Sequence, residues 1–320
     1  MSKEFYRLVS DSEILDEMAD SFRNRILEQK FLYTEDGANA FYSEEKWWPI
    51  FKPEDVISTE DYIKILEKNV FKKWKKYAFV SLACGDSHKE KEILKSLLSK
   101  WFDISYYWVD FSERMLELSE ETLKNINCNK KFILADIWSK KFKTEIDYLL
   151  KDYDERVFTF YGNTFWNINY TNIIDILGNL LKKWEKLLLE VVTRKDLSIE
   201  ESLFIFNRNK AQLNNEDSKS FLLNKIRKIW IKDEDGKLIV TMKEDKLLDV
   251  LKVNFIFEIL KKIKIDFRWK MVFLPWEKIE LYTIYYYYPE TLISFFKEHD
   301  FKFLDASYAR KWWQFLFEKE

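Results

Sequence analysis

The chain has 320 residues, 53 Lys and Arg against 55 Asp and Glu, and a formal net charge of −2 at pH 7. That length permits one large domain or two modest ones around a sizeable core, and the near-cancellation of charge argues against a broad nucleic-acid surface. Two cysteines (Cys84, Cys128) and two histidines (His88, His299) provide neither a zinc spacing nor a disulfide framework, nearly exclude a His-based metal site, and come without a serine-hydrolase nucleophile elbow.

Residues 10–29, SDSEILDEMADSFRNRILEQ, open on a capping-type Ser-x-x-Glu and continue amphipathically as a helix. A loop region with Pro49 and Pro53 follows, then a helix capped at Ser58 or Thr59. From residue 77 strands and helices alternate. YAFVSLA, ISYYWVDF, KKFILADIW, RVFTFYGN and KLLLEVVT read as strands, with helical patterns between them. Such alternation predicts a mostly parallel sheet with helices on both faces. Between about 195 and 270 it stops. There the sequence predicts helical runs, a hairpin in IRKIWIKDEDGKLIVTMKE with its turn at Asp235-Gly236, and an amphipathic segment DKLLDVLKVNFIFEILKKI. The β–α–β pattern returns in EKIELYTIYYY, ETLISFFKEHDF and FLDASYARKWWQFLFEK. No apolar run reaches membrane-spanning length and the first residues, MSKEFYRLVSDSEILDEM, contain no apolar signal core. A cytoplasmic monomer, engaging neither membrane nor nucleic acid, is expected.

Only five glycines occur where average usage gives about 22. A glycine retained against that bias marks a place where a Cβ is not accommodated. Gly85 and Gly162 each follow an apolar run at a turn, Gly37 follows FLYTED, and Gly178 reads as helix packing without functional weight. In an open α/β sheet, ligands bind beyond the carboxyl ends of the strands. The small-residue turn LACGDS lets a ligand approach the backbone at a helix N-terminus, and it lacks the GxGxxG phosphate fingerprint of dinucleotide sites. Asp110 ends the next strand, where a carboxylate accepts ribose hydroxyls. Asp136-Ile137 ends the third, where an acid and an apolar neighbour suit an adenine. Each Asp alone is equally a helix cap. Three such features in order on successive strands point to S-adenosylmethionine (SAM) and to the class I, Rossmann-like methyltransferase sheet. The loop Gly162-Asn163-Thr164-Phe165-Trp166-Asn167 then faces the reacting centre.

These motifs resemble those of the histidine-specific, SAM-dependent methyltransferases of ergothioneine biosynthesis. LACGDSHKEKEIL is similar to that family's LGSGTSEKTRxLL, GNTFWN to GSTIGN, FLYTEDGANAFY to FYDAxGSxLF, WWP to YYP and KIELYT to TEIS. The resemblance implies trimethylation of the histidine α-amino group. It implies donor binding by Gly85, Lys89, Asp110, Asp136, Ile137 and Gly162. Tyr33 and Asn167 would hold the substrate's amino and carboxylate groups at the catalytic centre, and Glu280 would face the imidazole. Departures are Ala83 at the donor loop's first glycine, Trp47 for a tyrosine near the imidazole, Tyr282 for a serine at the ring, and Phe204 for a tyrosine hydroxyl. They leave the donor site intact and reshape the side-chain pocket. The implied layout is an N-terminal helical part of a substrate domain (1–65), a SAM-binding core (66–195), an inserted α+β substrate domain (196–285) and a return to the core (286–320). Two alternatives stay open: an N-methyltransferase of another aromatic amino acid or small planar amine, and a non-catalytic binder of SAM or its demethylated product.

Overall fold

The computed structural model describes residues 5–39, 57–161, 165–168, 170–194, 198–246, 249–309 and 312–320. Trp47 and Gly162 lie outside them. The chain divides into two compact units: Met1–Leu8, Pro49–Thr193 and Tyr287–Glu320 form the first, Val9–Trp48 and Arg194–Tyr286 the second.

The first unit is built on eight strands: β1 (Tyr6–Arg7), β2 (Lys76–Leu82), β3 (Asp103–Asp110), β4 (Asn129–Leu134), β5 (Glu155–Phe160), β6 (Lys186–Val192), β12 (Phe301–Tyr308) and β13 (Trp312–Lys319). Their order in the sheet is β1-β4-β3-β2-β5-β6-β13-β12. Every pair from β1 to β6 is parallel, and β13 runs antiparallel to both β6 and β12. The order reverses at β2, so the switch point of a doubly wound sheet lies beside the end of that strand. This is the class I sheet expected from the alternating pattern. Right-handed crossovers put α3 (His88–Ser99) and α4 (Glu113–Thr122) on one face, with α5 (Lys140–Leu149) and α6 (Tyr170–Leu180) on the other. Helices α2 (Thr59–Asn69) and α9 (Pro289–Lys297) complete the unit.

Strands β2 and β3 are buried nearly throughout, so their sequences are largely apolar on both faces, whereas β4 is buried only at its end, Ile133 and Leu134. With small residues scarce, aromatic rings fill one layer. Phe79 stacks on Tyr106 at 5.1 Å between ring centroids, Tyr106 on Trp108 at 4.2 Å, and Trp108 on Phe132 at 5.0 Å. These rings occupy the space that aliphatic side chains usually fill.

The second unit contains α1 (Asp11–Arg23), a 3-10 turn (Gln29–Tyr33), α7 (Ile199–Ala211), α8 (Glu216–Lys228), a three-stranded antiparallel sheet and a two-stranded one. Ser10 and Glu13 close the capping box read from the sequence. The larger sheet is ordered β11-β8-β7, from β7 (Gly236–Asp245), β8 (Val250–Ile259) and β11 (Lys278–Tyr286). The smaller pairs β9 (Ile263–Phe267) with β10 (Trp269–Phe273).

Three sequence expectations change here. The segment read as amphipathic around 245–263 is mostly β8, because its nearly continuous apolar run is buried on both sides. Asp235-Gly236 is not a hairpin tip. Asp235 closes a 3-10 turn by accepting the Lys232 N–H, and β7 starts at Gly236. Its partner is β8, which follows it, not the preceding IRKIW, which ends α8. Gly178 is not a packing glycine, since a Cβ there meets nothing within 4 Å.

Among the described residues twelve non-glycine positions have left-handed φ, and five of them are tryptophan: Trp74, Trp101, Trp184, Trp230 and Trp276. Left-handed backbone costs an L-residue roughly 1–2 kcal/mol. Gly85 is the one described glycine with positive φ, at 58°.

Two glycine substitutions separate these environments. Gly178→Ala, in the interior of α6 with open space around it, is expected to raise stability by about 0.5–1 kcal/mol. Gly236→Ala puts a Cβ 2.4 Å from the buried Phe257 ring and 2.6 Å from the Glu258 carbonyl, and should lower it by about 1–3 kcal/mol. Urea midpoints at constant m measure both.

Candidate active site

The carboxyl ends of β2, β3 and β4 bring the predicted donor residues to one edge of the sheet. After β2 the chain turns through Ala83 (φ 53°), Cys84, Gly85 (φ 58°) and Ser87 (φ 60°) into α3. A Cβ added to Gly85 meets no atom within 4 Å, so the turn's outer side is open to a ligand and only φ demands glycine. Ala83 stands at the first glycine of the family motif and takes the same left-handed backbone with a Cβ attached.

Asp110, the last residue of β3, is buried and holds this turn. Its Oδ2 accepts the Gly85 N–H at 3.2 Å and its Oδ1 accepts the Ser112 N–H at 2.8 Å. The carboxylate keeps part of its acceptor capacity for a ligand hydroxyl. Burial pushes the Asp110 carboxyl up to about 6, against the pull of N–H donors from Ser112, Gly85 and Phe111. Asp136 follows β4, is buried, and accepts the Trp138 N–H at 2.9 Å. Ile137, next to it, is half-buried. An open glycine turn beside a buried strand-end carboxylate fits the nucleoside of SAM.

Lys89 has a different neighbourhood from the one its motif suggests. Its ammonium lies on both carboxylate oxygens of Glu190, a fully buried β6 residue, and reaches the Tyr62 hydroxyl at 3.3 Å. It also sits 5.2 Å from the centre of the Tyr62 ring.

Buried polar groups not among the expected site residues support the turn from beneath. Ser119, buried on α4, donates to the Gly85 carbonyl at 2.6 Å and lies 2.8 Å from the Ser87 hydroxyl. Glu90, buried in the first turn of α3, accepts the Ser81 hydroxyl at 2.9 Å. Burial pushes its carboxyl up to about 7, opposed by its own N–H and by Ser81. A signal existed, because Glu90 shares the apolar stripe of Ile93, Leu94 and Leu97. Cys84 is a packing residue: burial and the Asp110 carboxylate push its thiol well up, away from the reactive thiolate.

Asn167 lies in the first unit too, buried on a 3-10 turn Phe165–Asn167. Phe165 anchors that turn against Tyr287 at 5.6 Å and Phe296 at 6.1 Å, and Tyr287 donates to the Ile168 carbonyl at 3.0 Å.

Tyr33, Glu280, Tyr282 and Phe204 belong to the second unit. The Tyr33 and Tyr282 hydroxyls are 3.4 Å apart, and the Phe221 ring lies 5.4 Å from Tyr33 and 5.9 Å from Tyr282. Glu280 is not part of this aromatic cluster. A bulge at Leu281 pairs Glu280 with Ile256 but Tyr282 with Phe255, two successive β8 residues whose side chains leave on opposite faces. Glu280 pairs with Lys252 at 3.3 Å. Phe204 is exposed on α7.

A family model for histidine-specific, SAM-dependent methyltransferases matches residues 11–199. The chain belongs to this family. It is a SAM-dependent methyltransferase, and SAM is its cofactor. Solved structures similar to this methyltransferase include an S-adenosylmethionine-dependent methyltransferase from Clostridium acetobutylicum, at 12% identity and TM-score 0.46 over 87% of this chain and 98% of that one. A protein from Pyrococcus horikoshii is similar at 14% identity and TM-score 0.42 over 86% and 99%. The plantazolicin methyltransferase in complex with SAH is similar at 14% identity and TM-score 0.39 over 97% and 99%. No curated protein matches the sequence. Among the described residues, no helix of the methyltransferase is long and apolar enough to cross a membrane.

Two outcomes follow from the geometry. Ala83→Gly should raise stability by about 0.5–1 kcal/mol in a urea titration, by relieving left-handed strain in the donor turn. The second concerns pH. Asp110 and Glu90 titrate higher in the folded state than in the unfolded chain, so the folded state binds extra protons between about pH 4 and 7. Stability therefore rises as pH falls through that window. Lowering the pH from 7.5 to 5.5 should add about 2 kcal/mol, seen as a higher thermal midpoint, and Glu90→Gln should remove most of that pH dependence.

Proposed function

We propose that this methyltransferase transfers methyl groups from SAM to the α-amino group of an amino acid, histidine, giving trimethylhistidine. The observation that carries the reading is the family match, which spans the donor turn, the two strand-end carboxylates and the GNTFWN loop. Bound SAM supplies an electrophilic methyl group on a sulfonium. In the proposed roles, Asp110 accepts the ribose hydroxyls, Gly85 lets the donor approach the backbone, and Asp136 with Ile137 receives the adenine. Gly162 belongs to the same donor set by its motif. Lys89 belongs to the donor set by its motif, and its ammonium is paired with the buried Glu190.

The remaining task is to present a neutral amine in line with the methyl group at near-attack distance. Asn167 and Tyr33 hold the amino and carboxylate groups in this proposal. Asn167 suits that work because its buried amide sits on a turn fixed by aromatic packing. Successive methylations require the amine to rotate while the carboxylate stays anchored. Trp47, Glu280 and Tyr282 shape the side-chain pocket.

A second acceptor has a specific observation in its favour. Tyr282 is buried in the aromatic cluster with Tyr33 and Phe221, and Glu280 leaves from the other face of β11. That arrangement suits another aromatic amino acid or a small planar amine.

The direct experiment incubates the purified protein with SAM and a pool of amino acids and aromatic amines, followed by mass spectrometry. Trimethylated histidine is the expected product. Methylation of another pool member moves the acceptor to the second reading, and bound donor without turnover favours a non-catalytic binder. Asn167→Ala should weaken acceptor binding about tenfold or more, roughly 1.4 kcal/mol, with donor binding within about threefold. Asp110→Ala should do the reverse. Equal losses of both ligands in Asn167→Ala, or unchanged SAM affinity in Asp110→Ala, would remove these assignments.

A further inference from the structure

Thirteen described positions take left-handed backbone, and glycine occupies one of them, Gly85. Five carry tryptophan, a residue for which positive φ is a steric outlier. Each of the five sits in a turn. Trp230 follows α8, donating to the Arg227 carbonyl at 2.9 Å while Ile231 donates to the Ile226 carbonyl at 3.2 Å. That pair of bonds is the Schellman pattern, and its left-handed residue is most often glycine. Trp101 follows the end of α3 in the same manner, donating to the Leu98 carbonyl at 3.0 Å. In Leu274-Pro275-Trp276-Glu277, the Glu277 N–H bonds the Leu274 carbonyl, proline is second and Trp276 third with φ 72°. A type II turn places glycine or asparagine there. Trp184 occupies the same place in Lys182–Glu185, with φ 74°, and Trp74, φ 73°, turns the chain into β2.

The indole rings gain little in return. The five are between 57 and 99% exposed, and Trp74 and Trp101 make no ring contact among the described residues. Among the described residues no other tryptophan has positive φ, and Trp108 and Trp312 are buried in strands, although Trp269 is 47% exposed. The backbone at the five turns is thus glycine backbone, while the side chains make only peripheral contacts: Trp230 meets the Phe267 ring edge-on at 6.2 Å, and Lys183 and Lys237 lie over Trp184 and Trp276.

We infer that positions 74, 101, 184, 230 and 276 are glycine in the protein its own cells make, the codons there being read as glycine and not as tryptophan. The chemistry of decoding permits this, because a reassigned UGA codon is read as tryptophan under one version of the genetic code and as glycine under another. The inference also accounts for part of the shortage of glycine beside an abundance of tryptophan, five against 13. It does not rest on the methyl-transfer reading, since its tests involve neither donor nor acceptor.

Peptide mass spectrometry of the protein isolated from its own cells decides the matter, alongside the gene sequence. UGA codons at the five positions and glycine in the peptides are expected. UGG codons, or tryptophan in the peptides, would overturn the inference and return the five rings to the surface as side chains to be explained. A second measurement uses full-length recombinant protein in three versions, with Trp, Gly or Ala at all five positions. The Gly version should melt roughly 10 °C or more above the Trp version, and the Ala version, which removes the rings but keeps the strained backbone, should stay within about 3 °C of it. Folding of the Gly version alone counts in favour. An equal gain in the Ala version would mean that exposed rings, not backbone, limit stability, and would count against.

Discussion

A strand that follows a helix is entered only after the helix stops and the chain reverses, and here a residue in that reversal sits at positive φ before β2, β3, β6 and β12, at Trp74, Trp101, Trp184 and Asp300. The opposite edge has the same need for a different purpose. There Ala83, Gly85 and Ser87 fold the chain back so that the β2 turn clears space for a ligand and α3 starts directly behind it. Sheet closure and the proposed donor turn thus rest on one steric constraint, the penalty an L-residue meets in left-handed backbone. Gly85 avoids that penalty; its N–H donates to Asp110, and Ser119 donates to its carbonyl and bonds the Ser87 hydroxyl.

The turn is supported from below by polar groups that burial makes expensive to ionise. Glu90 and Asp110 are both shifted upward, and each accepts hydrogen bonds that fix its direction. The Lys89 ammonium rests on the buried Glu190 carboxylate and pairs its charge. In the proposed donor role such an arrangement is favourable, because charges are few, oriented and shielded from water.

Much of this was legible in the chain. The strands from 76 to 192 announced themselves through short apolar runs separated by helical periods, and Asp110 and Asp136 through their places at the ends of those runs. The β8 segment was misread because Val250–Ile259 is buried on both sides, and a continuous apolar run has no period to distinguish strand from helix. Its β-branched and aromatic content was the better guide. The Asp235-Gly236 pair misled because the aspartate's carboxylate works locally, on the Lys232 N–H and on Lys261. The partnership of Lys89 with Glu190 joins residues 101 positions apart, and no local pattern encodes it. The bulge that separates Glu280 from Tyr282 is likewise a property of strand pairing, not of sequence spacing.

The order in which the sheet is assembled has a consequence for synthesis. Strand β6 is paired on one side by β5, but its other neighbour, β13, lies beyond residues 194–286, which belong to the second unit. As the chain emerges, β6 presents an unpaired edge with seven buried residues for as long as the ribosome takes to make that insertion, on the order of 5–20 s. Strands in that condition pair with any neighbour available. The nascent protein therefore spends those seconds in need of shelter, and its yield in a cell should depend on chaperone supply more than that of a sheet completed in sequence.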